Sequence, residues 1–272
     1  MLVTYGGIVT SSTGWERIIP WVLVLGLTLA GFQLTRPPAA EPVTTAATSF
    51  SAERAMAHIR VIAAGPHEMG SPQIEAVRDY IRRQLAGIEI DEQVVPAPDY
   101  FGNRGTVSVV NLIAHVPGYA STGAIALVAH YDTVPETPGA NDNTAAVAAL
   151  LETARALRAS DQLRNDVILL FTDSEEPAPR YGAHAFVDDH PTFGDVRLAV
   201  NLEATGGTGA AVVAELSGPQ AWLVDHLQQA VDRPAMFSFL TDTTSLIGDI
   251  GTDFDEFRNA GVPGYHFAYT HG

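Results

Sequence analysis

Residues 124–133 read Ala-Ile-Ala-Leu-Val-Ala-His-Tyr-Asp-Thr. Apolar residues in an unbroken run, without alternation, suit a strand buried on both faces. The run delivers His130 and Asp132 into the loop that follows it. The same grammar recurs downstream, where Val167-Ile-Leu-Leu-Phe171 leads into Thr172-Asp173-Ser174-Glu175-Glu176 and Leu198-Ala-Val200 leads into Asn201-Leu202-Glu203. Between the first two, Gly139-Ala140-Asn141-Asp142-Asn143-Thr144 precedes an alanine-rich stretch from Ala145 to Arg158. Short apolar strands alternating with helices mark an α/β sheet covered on both faces, and in such sheets sites form beyond the carboxyl ends of strands.

Working outward, strands are expected near 88–95, 106–115, 124–130, 167–172, 196–203, 210–215 and 264–269, with helices near 144–158, 182–188, 220–231 and 253–259. Ser51 can cap a helix carrying Ala55, Ile59 and Ile62 on one face. Ser71 and Pro72 open another that carries Ile74, Val77, Ile81 and Leu85 at helical spacing. The expected fold is a single mixed, mostly parallel α/β sheet with helices on both faces, occupying residues 50–272.

Ahead of it lie a short tail, 1–17, and an uncharged run from Ile18 to Leu34 between Arg17 and Arg36. As a helix this run spans about 25 Å against a hydrocarbon core of about 30 Å, the short end of the transmembrane range. A cleaved signal peptide and a buried core helix are the competing readings. Residues 35–49 hold three prolines and almost no bulky apolar side chain, and read as a tether. The expectation is one transmembrane anchor at 18–34, with the large domain extracytoplasmic because it follows the anchor.

Acidic residues outnumber basic ones 31 to 15, and a net charge of −16 would repel a phosphate backbone, so nucleic acid is not an expected partner. The absence of cysteine excludes disulfides, thiolate zinc sites and a cysteine nucleophile. Any metal must be held by His and carboxylates.

Each polar fragment alone has an ordinary reading. His130 could be a hydrogen-bonded residue at a strand end, Asn143 or Thr144 a helix cap, and Glu175-Glu176 a solvated loop. Together they bring His, Asp, a Glu pair and Glu203 to strand ends or helix starts on one edge of one sheet. One imidazole among several carboxylates is the oxygen-rich donor set of catalytic rather than structural zinc. Adjacent glutamates can supply one metal ligand and one free base.

The motifs His-Tyr-Asp-Thr at 130–133, Asn-Asp-Asn at 141–143, Glu-Glu at 175–176, Asn-Leu-Glu-Ala at 201–204 and Gly-Thr-Asp-Phe at 251–254 occur in one order and spacing. From about Phe50 to Gly272 the chain thereby resembles the co-catalytic zinc aminopeptidases, a family that includes bacterial leucyl aminopeptidases, glutamate carboxypeptidase and the endoplasmic reticulum metallopeptidase. The resemblance implies that His130 and Glu203 bind one zinc, that Glu176 binds a second and that Asp142 bridges them. Glu175 is then the general base, and Asp132 orients His130.

Two departures stand out. Many relatives have Asp where this chain has Glu203. They also place the second zinc's remaining ligand in a Tyr-His-Thr motif beyond a segment like Gly261-Val-Pro-Gly-Tyr-His-Phe-Ala-Tyr269, whereas this sequence ends at Gly272 with His271 out of register. The domain is therefore expected to be C-terminally incomplete, with two zincs in the intact family site and one well bound here.

The implied function is a membrane-anchored exopeptidase acting on peptide substrates through a hydroxide held between the metals. An aminopeptidase is preferred, because no arginine cluster is matched that would receive an α-carboxylate. A carboxypeptidase or dipeptidase of the same family, and an inactive metal-poor binding domain, are the alternatives.

Overall fold

The computed structural model describes residues 14–34, 39–177, 180–204, 211–231, 234–236 and 251–269. The chain divides into two compact units, Met1–Pro38 and Ala39–Gly272. In the first, α1 (Gly14–Leu34) is a continuous helix of 21 residues with Pro20 inside it. Glu16 and Arg17 sit in its first turn, so the uncharged part begins only at Ile18. Among the described residues no helix is long and apolar enough to cross a membrane. The expected anchor at 18–34 lies on this helix.

The second unit runs α2 (Ala52–Ile62), α3 (Pro72–Gln84), β1 (Glu89–Pro98), β2 (Thr106–Val116), β3 (Ala124–His130), α4 (Thr144–Ala159), β4 (Asp166–Thr172), α5 (Tyr181–Asp189), a 3-10 turn (Pro191–Asp195), β5 (Val196–Leu202), β6 (Val212–Ser217), α6 (Gln220–Ala230), α7 (Phe254–Asn259) and β7 (Gly264–Ala268). The helices start where the sequence signals them. Ser51 Oγ accepts from Arg54 N at 3.2 Å, and Ser71 Oγ accepts from Ile74 N at 3.2 Å with Pro72 at the first helical position.

Among the described residues seven strands join one sheet in the order β1-β2-β4-β3-β5-β7-β6. The pairs β4–β3, β3–β5 and β5–β7 are parallel, while β1–β2, β2–β4 and β6–β7 are antiparallel. The sheet is mixed as expected, but the expectation of a mostly parallel one needs correcting. Parallel pairing is confined to the centre. No helix intervenes between β1 and β2, and a loop as short as 99–105 can return the chain only antiparallel.

Two apolar layers flank the sheet. On one face Ile74, Val77 and Ile81 of α3 and Val147, Leu150 and Leu151 of α4 pack on Leu112, Leu169 and Phe171. On the other, Phe186 of α5 and Phe254 and Phe257 of α7 pack on Val128, Ile168, Leu170 and Ala199. Neighbouring residues of β4 serve opposite layers, which is why 167–171 is apolar throughout.

The described part of the expected tether belongs to the folded unit. Arg54 Nη1 donates to the carbonyls of Val43 at 2.7 Å and Thr45 at 3.0 Å, and Arg155 does so to Ala47 at 2.5 Å and Ser49 at 2.8 Å. Both guanidinium groups are braced by the buried Glu152, at 2.9 Å from Arg54 and 2.7 Å from Arg155. Main-chain carbonyls rather than apolar side chains hold this strap, so a search for apolar patterning passes over it.

Candidate metal centre

Because β4, β3 and β5 are parallel neighbours, their carboxyl ends share one edge of the sheet. His130 closes β3. Its Nε2 lies 3.1 Å from Glu203 Oε1, 3.2 Å from Asp142 Oδ1 and 3.8 Å from Glu175 Oε2. His130, Asp142 and Glu203 each place one donor atom within 4.8 Å of the others, a grouping that could hold a metal ion.

One imidazole nitrogen carries at most one proton and cannot satisfy two carboxylates at once. Glu203 Oε2, moreover, is buried without a hydrogen-bond partner. Converging anionic oxygens, one imidazole and an orphaned buried oxygen fit a divalent cation better than a closed hydrogen-bond network.

The backbone explains how each donor arrives. Gly139 has φ +60, and a Cβ there would collide with the Thr133 methyl and come within 2.6 Å of Asp142 O. Only glycine allows so tight a turn over the end of β3. Asn143 is the first residue before α4, yet its side chain makes no capping bond; Nδ2 instead donates to Leu202 O at 2.8 Å. The cap expected of Asn143 is therefore replaced by a tie between the Asp142 loop and the end of β5, next to Glu203. Glu203 N donates to Phe267 O at 2.8 Å, which fixes that loop on β7.

Asp132 is fully buried, with Oδ1 3.4 Å from His130 Nδ1. It also accepts from Glu175 N at 3.0 Å and Glu176 N at 3.3 Å. Ser174, with φ 65, turns the chain between Asp173 and Glu175. A non-glycine residue in this region marks a loop held by its surroundings. Glu175 thus faces His130 directly, whereas the carboxylate of Glu176 is not one of the three converging donors.

The electrostatics follow from crowding buried carboxylates. Burial would lower the pKa of His130, but Glu203, Glu175, Asp132 and Asp142 outweigh it and hold the imidazole well above its ordinary value. Burial pushes Glu175 well up despite the opposing His130, with Glu203, Asp253 and Asp132 adding to the rise. Glu176 is raised to about 7, chiefly by burial, with Asp142, Asp132 and Glu203 adding to it against His130.

Two residues near the set had been given no role. Asp253, in Gly251-Thr-Asp-Phe254, accepts from Thr172 Oγ1 at 2.5 Å while its Oδ1 is buried without a partner. Burial raises it to about 7. The pKa of Tyr269 is pushed up to about 12 by burial, Asp142 and Glu203. The motif around Asp253 was visible in sequence, but nothing local tied it to the end of β4. His271 lies outside the described residues.

This architecture is the zinc exopeptidase fold. A Zn-dependent exopeptidase from Parabacteroides distasonis superposes with a TM-score of 0.62 at 19% identity, covering 82% of this chain and 85% of that one. Glutaminyl cyclase from Tannerella forsythia superposes with a TM-score of 0.66 at 20% identity over 81% and 84%. Residues 111–272 match peptidase family M28, and the chain belongs to that family.

Among curated relatives, the putative endoplasmic reticulum metallopeptidase 1-A of Caenorhabditis elegans is 28% identical over 95% of this chain, and the vacuolar membrane protease of Candida albicans (strain WO-1) is 33% identical over 76%. The chain spans 32% and 25% of the length of these two proteins.

Proposed function

We propose that the chain is a membrane-anchored, zinc-dependent exopeptidase that removes N-terminal residues from peptides. The observation that carries this reading is the convergence of His130, Asp142 and Glu203 with Glu175 Oε2 3.8 Å from the same imidazole nitrogen. His130, Asp142 and Glu203 would hold one zinc, and Glu176 with Asp142 would hold the second. Bound zinc supplies Lewis-acid polarisation of the scissile carbonyl and acidifies water.

The chain's own residues supply proton transfer and orientation. Glu175 takes a proton from the attacking water and returns it to the departing amine. Its burial, which disfavours its charged form, also makes it a strong proton acceptor once a cation offsets the surrounding carboxylates. Asp132 keeps the imidazole Nδ1 engaged, leaving Nε2 for the metal, and holds the Glu175 backbone in place. The side chains around His130 are carboxylates, an environment that favours a cationic α-amine over an α-carboxylate.

The uncharged part of α1 and the name of the vacuolar membrane protease support the anchor; the peptidase domain, which follows it, would then lie on the extracytoplasmic side. A second reading, cyclisation of N-terminal glutamine, takes its support from the similarity of fold to glutaminyl cyclases.

One substrate panel tests these readings on the zinc-loaded chain. Peptides with a free amine should be cleaved, N-acetylated ones should resist, and C-terminal amidation should make no difference. Resistance caused by amidation instead of acetylation would refute the aminopeptidase in favour of a carboxypeptidase. Ammonia released from glutaminyl peptides without peptide cleavage would indicate the cyclase.

A further inference from the structure

We propose that Arg78, on α3 and outside the metal-facing donors, is a positioning residue that aims both catalytic loops from the face of the sheet that α3 and α4 cover. Its neighbours Ile74, Val77 and Ile81 are ordinary core residues, yet Arg78 is itself only 1% exposed. A buried guanidinium is retained only where partners satisfy its donors. Here Nε donates to Tyr131 Oη at 2.6 Å, Nη1 to Glu75 Oε1 at 2.5 Å, and Nη2 to Ser108 O at 3.3 Å and to Asp173 Oδ2.

Two of these partners sit inside the site's own loops. Tyr131 lies between His130 and Asp132, and Asp173 lies two residues before Glu175. The ladder between β2 and β4 ends at the pair Leu112 and Phe171. Beyond it, the backbone groups of Val110 are taken by side chains: Val110 N donates to Asp173 Oδ2 at 2.9 Å, and Val110 O accepts from Tyr131 Oη at 2.5 Å. Arg78 holds both of those side chains, so it sits where a main-chain rung would otherwise continue.

Released from β2, the chain after Thr172 turns at Ser174, and the amides of Glu175 and Glu176 reach Asp132. The path from Arg78 to the base is thus continuous: Arg78 to Asp173, through the turn to Glu175, and back through Asp132 to His130. A lysine has the charge but not the planar fork, and cannot serve Tyr131, Asp173 and Ser108 together.

The inference rests on the hydrolase reading above, so its test includes a readout that needs no turnover. The full chain, wild type and variant, is loaded with cobalt(II), and its affinity and visible absorption are measured beside peptide hydrolysis and unfolding. Arg78→Met with Asp173→Asn removes both charges and avoids leaving Asp173 buried and unpaired. This double variant should unfold cooperatively, lose roughly 100-fold in kcat with KM within about threefold, bind cobalt about tenfold more weakly and change its absorption bands. Arg78→Lys should fall between it and wild type.

A purely structural Arg78 would lower the unfolding midpoint but leave kcat and the cobalt spectrum of the folded protein unchanged, and that result overturns the proposal. If the double variant fails to fold, Tyr131→Phe decides by the same readouts, since it removes only the hydroxyl between Arg78 and Val110. If the wild-type chain binds cobalt but hydrolyses nothing, the hydrolase reading fails, and the cobalt spectra alone decide the role of Arg78.

Discussion

Replacing Asp132 with Asn exchanges one carboxylate oxygen for an NH2 group and tests how the site uses a fully buried carboxylate. In the native structure that carboxylate accepts from Glu175 N at 3.0 Å and Glu176 N at 3.3 Å and stands 3.4 Å from His130 Nδ1. Asn can keep one accepted bond through its oxygen, but its NH2 then faces the other backbone N–H. One buried donor is left without a partner, at a cost of about 1–3 kcal/mol, and the surviving bond loses its charge assistance. An opposing effect exists in the metal-free protein. Asp132 is one of the charges that raise Glu175, Glu176 and Asp253, so its removal relieves repulsion. The two effects partly cancel without metal. With zinc bound the cations already offset that repulsion, and only the loss remains. Groups that orient metal ligands typically contribute 10–100-fold in affinity, so the stabilisation zinc gives should shrink by about 1.4–2.7 kcal/mol. Denaturant unfolding with saturating zinc and with chelator, for both proteins, measures this difference. Equal zinc stabilisation in wild type and Asp132→Asn would refute the idea that Asp132 orients the metal-facing residues.

Glu175→Gln and Glu176→Gln should fail differently, the first keeping the zinc content of wild type and losing at least about 100-fold in turnover, the second losing the zinc that Glu176 and Asp142 would hold while keeping the one at His130, as metal analysis beside kinetics would show; equal metal loss would remove the distinction. The metal-free protein should become less stable as pH rises from the ordinary carboxylate range to about 7. Glu176 and Asp253 are raised to about 7, so the folded state binds more protons in that window; their contribution is complete at low pH and lost as pH passes about 7. His130, raised by its carboxylate neighbours, acts with the same sign, and unfolding scans at pH 5 and 7.5 should show the drop without zinc and not with it. Gly182→Ala should destabilise by about 1–3 kcal/mol or more, because a Cβ there collides with Asp173 O and comes within 2.6 Å of Asn111 Oδ1; an unchanged unfolding midpoint would contradict the packing behind the site.

How much of this was legible in sequence depended on whether the cause was local. The central strands β3 and β4 could be read because a strand buried on both faces needs an unbroken apolar run, as 124–129 and 167–171 show. His130, Glu175 and Glu203 stand out as candidates because they close or follow apolar runs, whereas Asp142 stands out only by its place before α4. Strand order could not, since it depends on pairings between distant segments, and the antiparallel β1–β2 and β2–β4 pairs carry no periodic signal of their own direction. The strap at 39–49 reads as part of a tether over 35–49 because its holding groups, Arg54 and Arg155, act on carbonyls that every residue possesses.

Arg78 shows why the supporting layer is harder to read than the donors. In sequence it is one basic residue on an amphipathic helix with Arg82 and Arg83 following, a pattern that ordinarily marks a solvated face. Arg82 behaves that way, pairing with Glu92 and Asp79 at partly exposed positions. Arg78 differs only because Asp173, 95 residues away, is delivered beneath it by the end of β4. The residues that could meet a metal lie at strand ends and just before α4, on one edge of the sheet, so sheet geometry restricts where to look. Residues that aim them can come from any element packed behind those ends, and only the three-dimensional pairing separates a buried guanidinium from a surface one.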